Sequence, residues 1–172
     1  MPRYVAFLRG VSPMNAKMPE LKRCFEAEGF SDVRTLLSSG NVVFNARLSS
    51  VSALERRAEK AMQSDLGRSF ATIIRSAEYL QNFVQSDPFA KFSLPSTAKR
   101  VITFLRSGPV EAKLQFPIEQ NGASILVFTG SEVLAAYVPG PKGPVFMGLL
   151  ERTFGTNITT RTLDTVRKCA WA

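Results

Sequence analysis

Val33-Arg34-Thr35-Leu36-Leu37-Ser38-Ser39-Gly40-Asn41-Val42-Val43-Phe44-Asn45 is the stretch on which the fold turns. Two short strand-like runs, 33–37 and 42–45, flank Ser38-Ser39-Gly40-Asn41, a cluster of turn formers, and the pattern predicts a β-hairpin. Upstream, Tyr4-Val5-Ala6-Phe7-Leu8 is a continuous apolar run, the pattern of a strand covered on both faces. Between the two, Pro19 opens a helix in its first turn, where a missing N–H costs little. Leu21, Cys24 and Phe25 fall at helical spacing and Gly29 stops the helix. Cys24 therefore reads as a small core residue rather than a reactive thiol. Downstream, Val51, Leu54, Ala58, Ala61 and Met62 mark one face of a helix over 51–66, with Arg56, Arg57 and Lys60 on its solvated face. Ala71-Thr72-Ile73-Ile74 reads as a strand, and Ser76 as the N-cap of a helix that carries Leu80, Phe83 and Val84 inward. The resulting order, β-α-β-β-α-β, is that of a ferredoxin-like split βαβ unit.

Residues 86–98 are rich in Ser, Pro and Asp and read as a linker. Beyond them the order repeats. Val101–Leu105 is a strand, 110–116 a short helix before Pro117, and Ile125–Phe128 and Val133–Val138 are strands around Thr129-Gly130-Ser131. A helix from about 145 carries Phe146, Leu149, Leu150 and Phe154. Asn157–Arg161 reads as an edge strand, and a last helix runs from Leu163 to about Ala170 with Thr162 as its cap. The expected class is α+β, built from two ferredoxin-like (βαββαβ) halves at 1–85 and 99–172. The second half is followed by a C-terminal helix. The element order repeats but the sequence does not.

Composition narrows the chemistry. The 172 residues include no histidine. That excludes Ser-His-acid and Cys-His catalytic arrangements and every histidine-containing metal site. Cys24 and Cys169 stand at opposite ends of the chain and form no CxxC unit, so neither a structural zinc site nor a thioredoxin-like pair is expected. No apolar run reaches the ~20 residues of a membrane span. Met1-Pro2-Arg3-Tyr4 leads straight into a strand and leaves no room for a signal peptide, so a cytoplasmic protein is expected. Lys and Arg number 22 against 14 Asp and Glu, a formal +8. Residues 1–86 hold 12 basic and 8 acidic side chains and residues 87–172 hold 10 and 6, so no tail concentrates the excess. A positive field favours anionic partners, although a basic surface also serves solubility alone.

Topology gives part of that charge a location. βαβ crossovers are right-handed, so a split unit brings together the end of its first strand, the start of its first helix and the turn between its second and third strands. Here that edge gathers Arg9 and Gly10, then Ser12, Asn15 and Lys17, then Ser38, Ser39, Gly40 and Asn41, with Arg68 before the fourth strand. Cations, short hydroxyl and amide side chains, glycines and a helix N-terminus are the ingredients of an anion site. Arginine suits phosphate or carboxylate because its planar fork bonds two oxygens at once. The competing reading is of ordinary turn formers beside a surface arginine. In the second half, the same reasoning places Pro139-Gly140-Pro141-Lys142-Gly143-Pro144 near Arg161. Lys142 lacks the GxxxxGK[ST] spacing of a phosphate loop, and a rigid turn with Pro144 starting a helix is the better account.

Phe7-Leu8-Arg9-Gly10-Val11, Met18-Pro19-Glu20-Leu21, Gly29-Phe30, Ser39-Gly40-Asn41-Val42-Val43-Phe44, Asp87-Pro88-Phe89 and Thr159-Thr160-Arg161 follow one another in this order. Together they resemble the bacterial domain-of-unknown-function family 1697 over essentially the whole chain. The resemblance implies a compact cytosolic α+β protein with ferredoxin-like parts, and no established activity. Many members carry a longer glycine-rich loop after the Arg-Gly, where this chain has Val11-Ser12-Pro13-Met14-Asn15-Ala16-Lys17. Members often continue Thr-Thr-Arg with Asn-Trp-Asn-Thr, where this chain has Thr162-Leu163-Asp164-Thr165.

Four functions are in play. The first is a binding module for a small phosphorylated or otherwise anionic ligand, contacted by Arg9, Gly10, Ser12, Asn15, Lys17, Ser38, Ser39, Gly40, Asn41 and, from the second half, Arg161. Next come a protein-interaction or self-associating module and a nucleic-acid binder. The last is less favoured because residues 41–44 do not match the aromatic pattern of an RNA-recognition sheet. An enzyme would need Asp, Glu, Lys, Tyr or a thiol for acid–base work. Asp87 before Pro88-Phe89 fits that role less well than it fits a turn, so no catalytic residue is assigned. No cofactor, metal or membrane partner is expected, and the sequence leaves the oligomeric state open.

Overall fold

The computed structural model describes residues 1–106, 115–140 and 145–172, with the backbone alone at 145–146. These residues form a mixed α+β protein with two antiparallel sheets and five helices. They divide into two compact units, Met1–Phe83 with Val166–Ala172, and Val84–Thr165.

The first unit contains β1 (Arg3–Leu8), α1 (Met18–Ala27), β2 (Ser31–Leu36), β3 (Asn41–Asn45), α2 (Val51–Leu66), β4 (Thr72–Ser76) and most of α3 (Ala77–Gln85). Its sheet has the order β2-β3-β1-β4. Every neighbouring pair is antiparallel. The apolar run of β1 behaves as its pattern predicts, since Tyr4 through Leu8 are all 3% exposed or less. Residues alternate across a strand. Tyr4, Ala6 and Leu8 thus join Val42 and Phe44 on the face that meets Leu21 and Phe25 of α1 and Leu54, Ala58 and Met62 of α2. Phe44 sits in an aromatic group, with ring centroids 4.4 Å from Phe30, 5.5 Å from Phe25 and 5.9 Å from Tyr4.

Helix α2 has the expected limits. Ser50 Oγ accepts the Ala53 N–H at 3.2 Å, and Gly67 ends the helix in the left-handed region at φ 70°. Glu55 of α2 is 1% exposed, and its Oε2 accepts the Ile74 N–H at 2.9 Å. One turn on, Glu59 Oε2 accepts the Thr72 N–H at 3.2 Å. β4 is a sheet edge, and these two N–H groups point away from β1. Four helical residues rise about 6 Å and two strand residues about 6.6 Å, so the carboxylates of α2 match the outward N–H groups of β4. The edge is closed by side chains rather than by another strand.

The hairpin strands differ slightly from expectation. β2 begins at Ser31 and ends at Leu36, which leaves Leu37 in the turn with φ 57°. The strand expected at 71–74 runs from Thr72 to Ser76, and Ser76 Oγ also accepts the Tyr79 N–H at 3.1 Å, as its N-cap role requires. Leu80 is buried as expected, with Ala77 beside it, whereas Phe83 and Val84, also expected inward, are only half-buried.

The second unit holds β5 (Lys99–Leu105), β6 (Ile118–Gln120), β7 (Ala123–Phe128), β8 (Glu132–Tyr137), α4 (Val145–Phe154) and β9 (Ile158–Thr162). Its sheet order is β6-β7-β8-β5-β9, so β9 is an edge as expected. The expected helix at 110–116 lies largely outside the described residues. β6 was not expected. It forms a hairpin with β7 through Asn121 (φ 48°) and Gly122 (φ 84°), a turn in which both central residues are left-handed. α4 buries Leu149, Leu150 and Phe154 against Val101, Ile125, Val133 and Ala135.

Thr162 Oγ1 accepts the Thr165 N–H at 3.2 Å and caps α5 (Leu163–Ala170). The sequence assigned α5 to the second half, yet from Val166 on the chain groups with the first unit. Arg3 Nε donates to the Ala172 carbonyl at 2.7 Å and Gln81 Nε2 to the Ala170 carbonyl at 2.8 Å. Val166 and Cys169 are fully buried. The segment 86–98 includes buried Phe89 and Ala98.

Candidate functional site: the loop end of the first unit

Three connections meet at one end of the first sheet: 9–17 after β1, 37–40 between β2 and β3, and 67–71 before β4. Antiparallel pairing of β1 with both neighbours brings them together. Leu8 N–H donates to the Gly40 carbonyl at 2.9 Å and Arg9 N–H to the Ala71 carbonyl at 2.9 Å. Gly40 (φ +83°) lies so close to the loop after β1 that a Cβ there would stand 2.9 Å from Val11 Cβ and 3.1 Å from Leu8 Cβ. Only glycine fits both that conformation and that approach. Arg9, Gly10, Ser39, Gly40 and Asn41 are thereby brought to one end of the sheet.

The amide side chains have local tasks. Asn15 Oδ1 accepts the Ser12 N–H at 2.9 Å, and its Nδ2 donates to the Gly10 carbonyl at 2.7 Å. This closes the loop after β1 on itself. Asn41 is 0% exposed, and its Nδ2 donates to the Leu36 carbonyl at 3.0 Å and to Ser39 Oγ at 3.1 Å. Asn15 and Asn41 thus shape the two turns, the role that amides commonly fill in such segments. Arg9 is half-buried; Gly10, Lys17, Ser38, Ser39 and Arg68 are exposed. Lys17 is the N-cap residue of α1 and makes no side-chain cap. Pro19 removes one first-turn donor and Glu20 sets a carboxylate in that turn. The helix N-terminus therefore contributes less positive character than the sequence promised.

Residues 9–17, 37–41 and 67–71 contain Arg9, Lys17 and Arg68 and no Asp or Glu. Carboxylates adjoin these loops: Glu20 in the first turn of α1, and Glu59, whose Oε2 accepts the Thr72 N–H beside the third loop. Arg161 lies in β9 of the second unit, where its Nη1 donates to Thr159 Oγ1 at 2.8 Å and to the Thr160 carbonyl at 3.0 Å. Residues 141–144, with Lys142, lie outside the described residues. Recesses among the described residues include one of about 430 Å³ beside the Asn121-Gly122 turn and one of about 510 Å³ lined by Glu20, Arg23, Cys24 and Asp65. Neither is lined by the loop-end residues.

Cys24 borders the second recess and is 2% exposed. Burial first, then the charge of Asp65 and a hydrogen bond to its carboxylate, push the thiol from its ordinary 9.0 up to about 11. Its stabilising effect is full below about pH 9 and is lost as pH rises toward 11. Iodoacetamide at pH 8 is expected to leave Cys24 unmodified in the folded protein and to alkylate it in denaturant; mass spectrometry of the tryptic peptide distinguishes the two. Rapid labelling of the native chain would contradict the assignment of Cys24 to the core.

The chain matches a family described as protein of unknown function (DUF1697) over residues 1–133, and it belongs to that family. A solved structure of a conserved bacterial protein from Streptococcus pneumoniae is similar across 99% of this chain and 97% of that one, with a TM-score of 0.69 and 18% sequence identity. At that identity the likeness is one of fold. No curated protein matches the chain.

Proposed function

We propose that the loop end of the first unit is a binding site for a small anionic ligand, a phosphorylated one in the first instance. The observation that carries the reading is the charge pattern: three loops held together at one sheet end carry three cations and no carboxylate. Such an end attracts anions from solution and holds them with a forked guanidinium and an ammonium. Arg9 contacts the ligand directly, with Lys17 and the Ser38-Ser39 hydroxyls beside it. Gly10, at φ +81° and with open space on its Cβ side, lets a ligand approach the backbone. Asn15 and Asn41 hold the loops, and Ser12 joins them.

Each unit is read as ferredoxin-like. The order β2-β3-β1-β4 with two helices is that of a split βαβ unit, and β7-β8-β5-β9 repeats it with β6 added outside β7. A cytoplasmic location is part of this reading, and two buried free cysteines support it. An RNA-binding sheet of the aromatic-stacking kind fits poorly, because every residue of β1 from Tyr4 to Leu8 is buried.

Thermal unfolding with inorganic phosphate, sugar phosphates and nucleotides tests the site. A bound anion at about a hundredfold its Kd is expected to raise Tm by roughly 5 °C, and Arg9→Ala to abolish the rise. A rise that survives Arg9→Ala would remove Arg9 from the site.

A further inference from the structure

We propose that the loop end of the first unit docks on an anionic membrane surface, with Met14 and Leu37 entering the acyl boundary and Arg9, Lys17 and Arg68 meeting lipid phosphates. The inference rests on the anion-site reading and commits its phosphate to one source, the lipid headgroup. Met14 is 94% exposed and Leu37 50% exposed, and each stands in one of the loops that carry or adjoin the cations. The display is built into the loops. Met14 rides on a turn closed by the two Asn15 bonds and by its own N–H to Ser12 Oγ at 3.3 Å. Leu37 is held at φ 57°, a conformation that leucine seldom adopts, in a turn closed by Asn41.

A side chain exposed to 94% has almost no protein wall around it. A protein partner would need a pocket shaped to receive each of these two tips. A fluid acyl boundary needs no pocket, and apolar tips beside basic residues suit it. Loops without a carboxylate complement an anionic leaflet, where each cation adds to the attraction. Among the described residues no helix is long and apolar enough to cross a membrane, so the contact is peripheral and reversible.

Co-sedimentation of the full chain with phosphatidylcholine vesicles, with and without phosphatidylglycerol, tests this. Pelleting is expected only with phosphatidylglycerol. The Met14→Ser/Leu37→Ser double variant should reduce it about tenfold, in line with the apolar area withdrawn from the acyl region. Leu48→Ser should leave pelleting unchanged, since Leu48 is 84% exposed but follows β3 at the opposite end of the sheet. Circular dichroism checks that the variants are folded. Pelleting unaffected by the double variant, equal binding to phosphatidylcholine alone, or recognition of an acidic protein in place of lipid overturns the proposal. An Arg9-dependent Tm rise with inorganic phosphate but no pelleting overturns the membrane source and leaves the anion site standing. Neither signal removes both.

Discussion

Gly40→Ala is expected to destabilise the first unit by about 2–4 kcal/mol, through backbone strain and overpacking together. The methyl group would have to occupy space 2.9 Å from Val11 Cβ and 3.1 Å from Leu8 Cβ, at φ +83°. Leu8 cannot yield easily, because it is 1% exposed and its own N–H is bound to the Gly40 carbonyl. Relief would part the two loops and break that bond, so the damage falls on the candidate site as well as on the core. Tm should drop by roughly 10 °C. Gly10→Ala provides the contrast: φ is again positive, at +81°, but nothing lies within 4 Å, so backbone strain acts alone, at about 1 kcal/mol. Equal melting points for the two variants would contradict the close approach of Gly40 to Val11.

Glu55→Ala should cost about 2–3 kcal/mol, because it removes a charged acceptor from a buried N–H. Ile74 is 0% exposed, and without the carboxylate its N–H faces a dry gap left by the shortened side chain. Glu55→Gln keeps a carbonyl oxygen at the same reach and should lose less than half as much. Urea unfolding measures both, and amide exchange at Ile74 reports the local effect. An alanine variant as stable as the wild type would mean that water or another group satisfies the β4 edge.

The hairpin was legible because turn chemistry and strand propensity agreed over Leu36–Asn41. The burial of Asn41 was not legible, since an amide in a turn can face solvent or its own backbone and the sequence pattern is the same. Glu55 left a signal: it falls in the stripe of Val51, Leu54, Ala58 and Met62, where a carboxylate asks for a buried donor. β6 escaped because Ile118-Glu119-Gln120 offers a single apolar residue, although Asn121-Gly122 is a strong hairpin marker. The grouping of Val166–Ala172 with the first unit could not be read at all. Helical spacing shows which face of α5 is buried but not which core receives it.

The gathering of loops at one end of the first sheet followed from strand order, and that geometry underlies the functional reading. Titrating inorganic phosphate into isotope-labelled protein and following backbone amide resonances tests it most directly. Shifts concentrated at Arg9, Gly10, Ser39 and Gly40, saturating together and absent in Arg9→Ala, are the predicted result. Shifts scattered over the basic surface, or centred on residues away from the three loops, would contradict it.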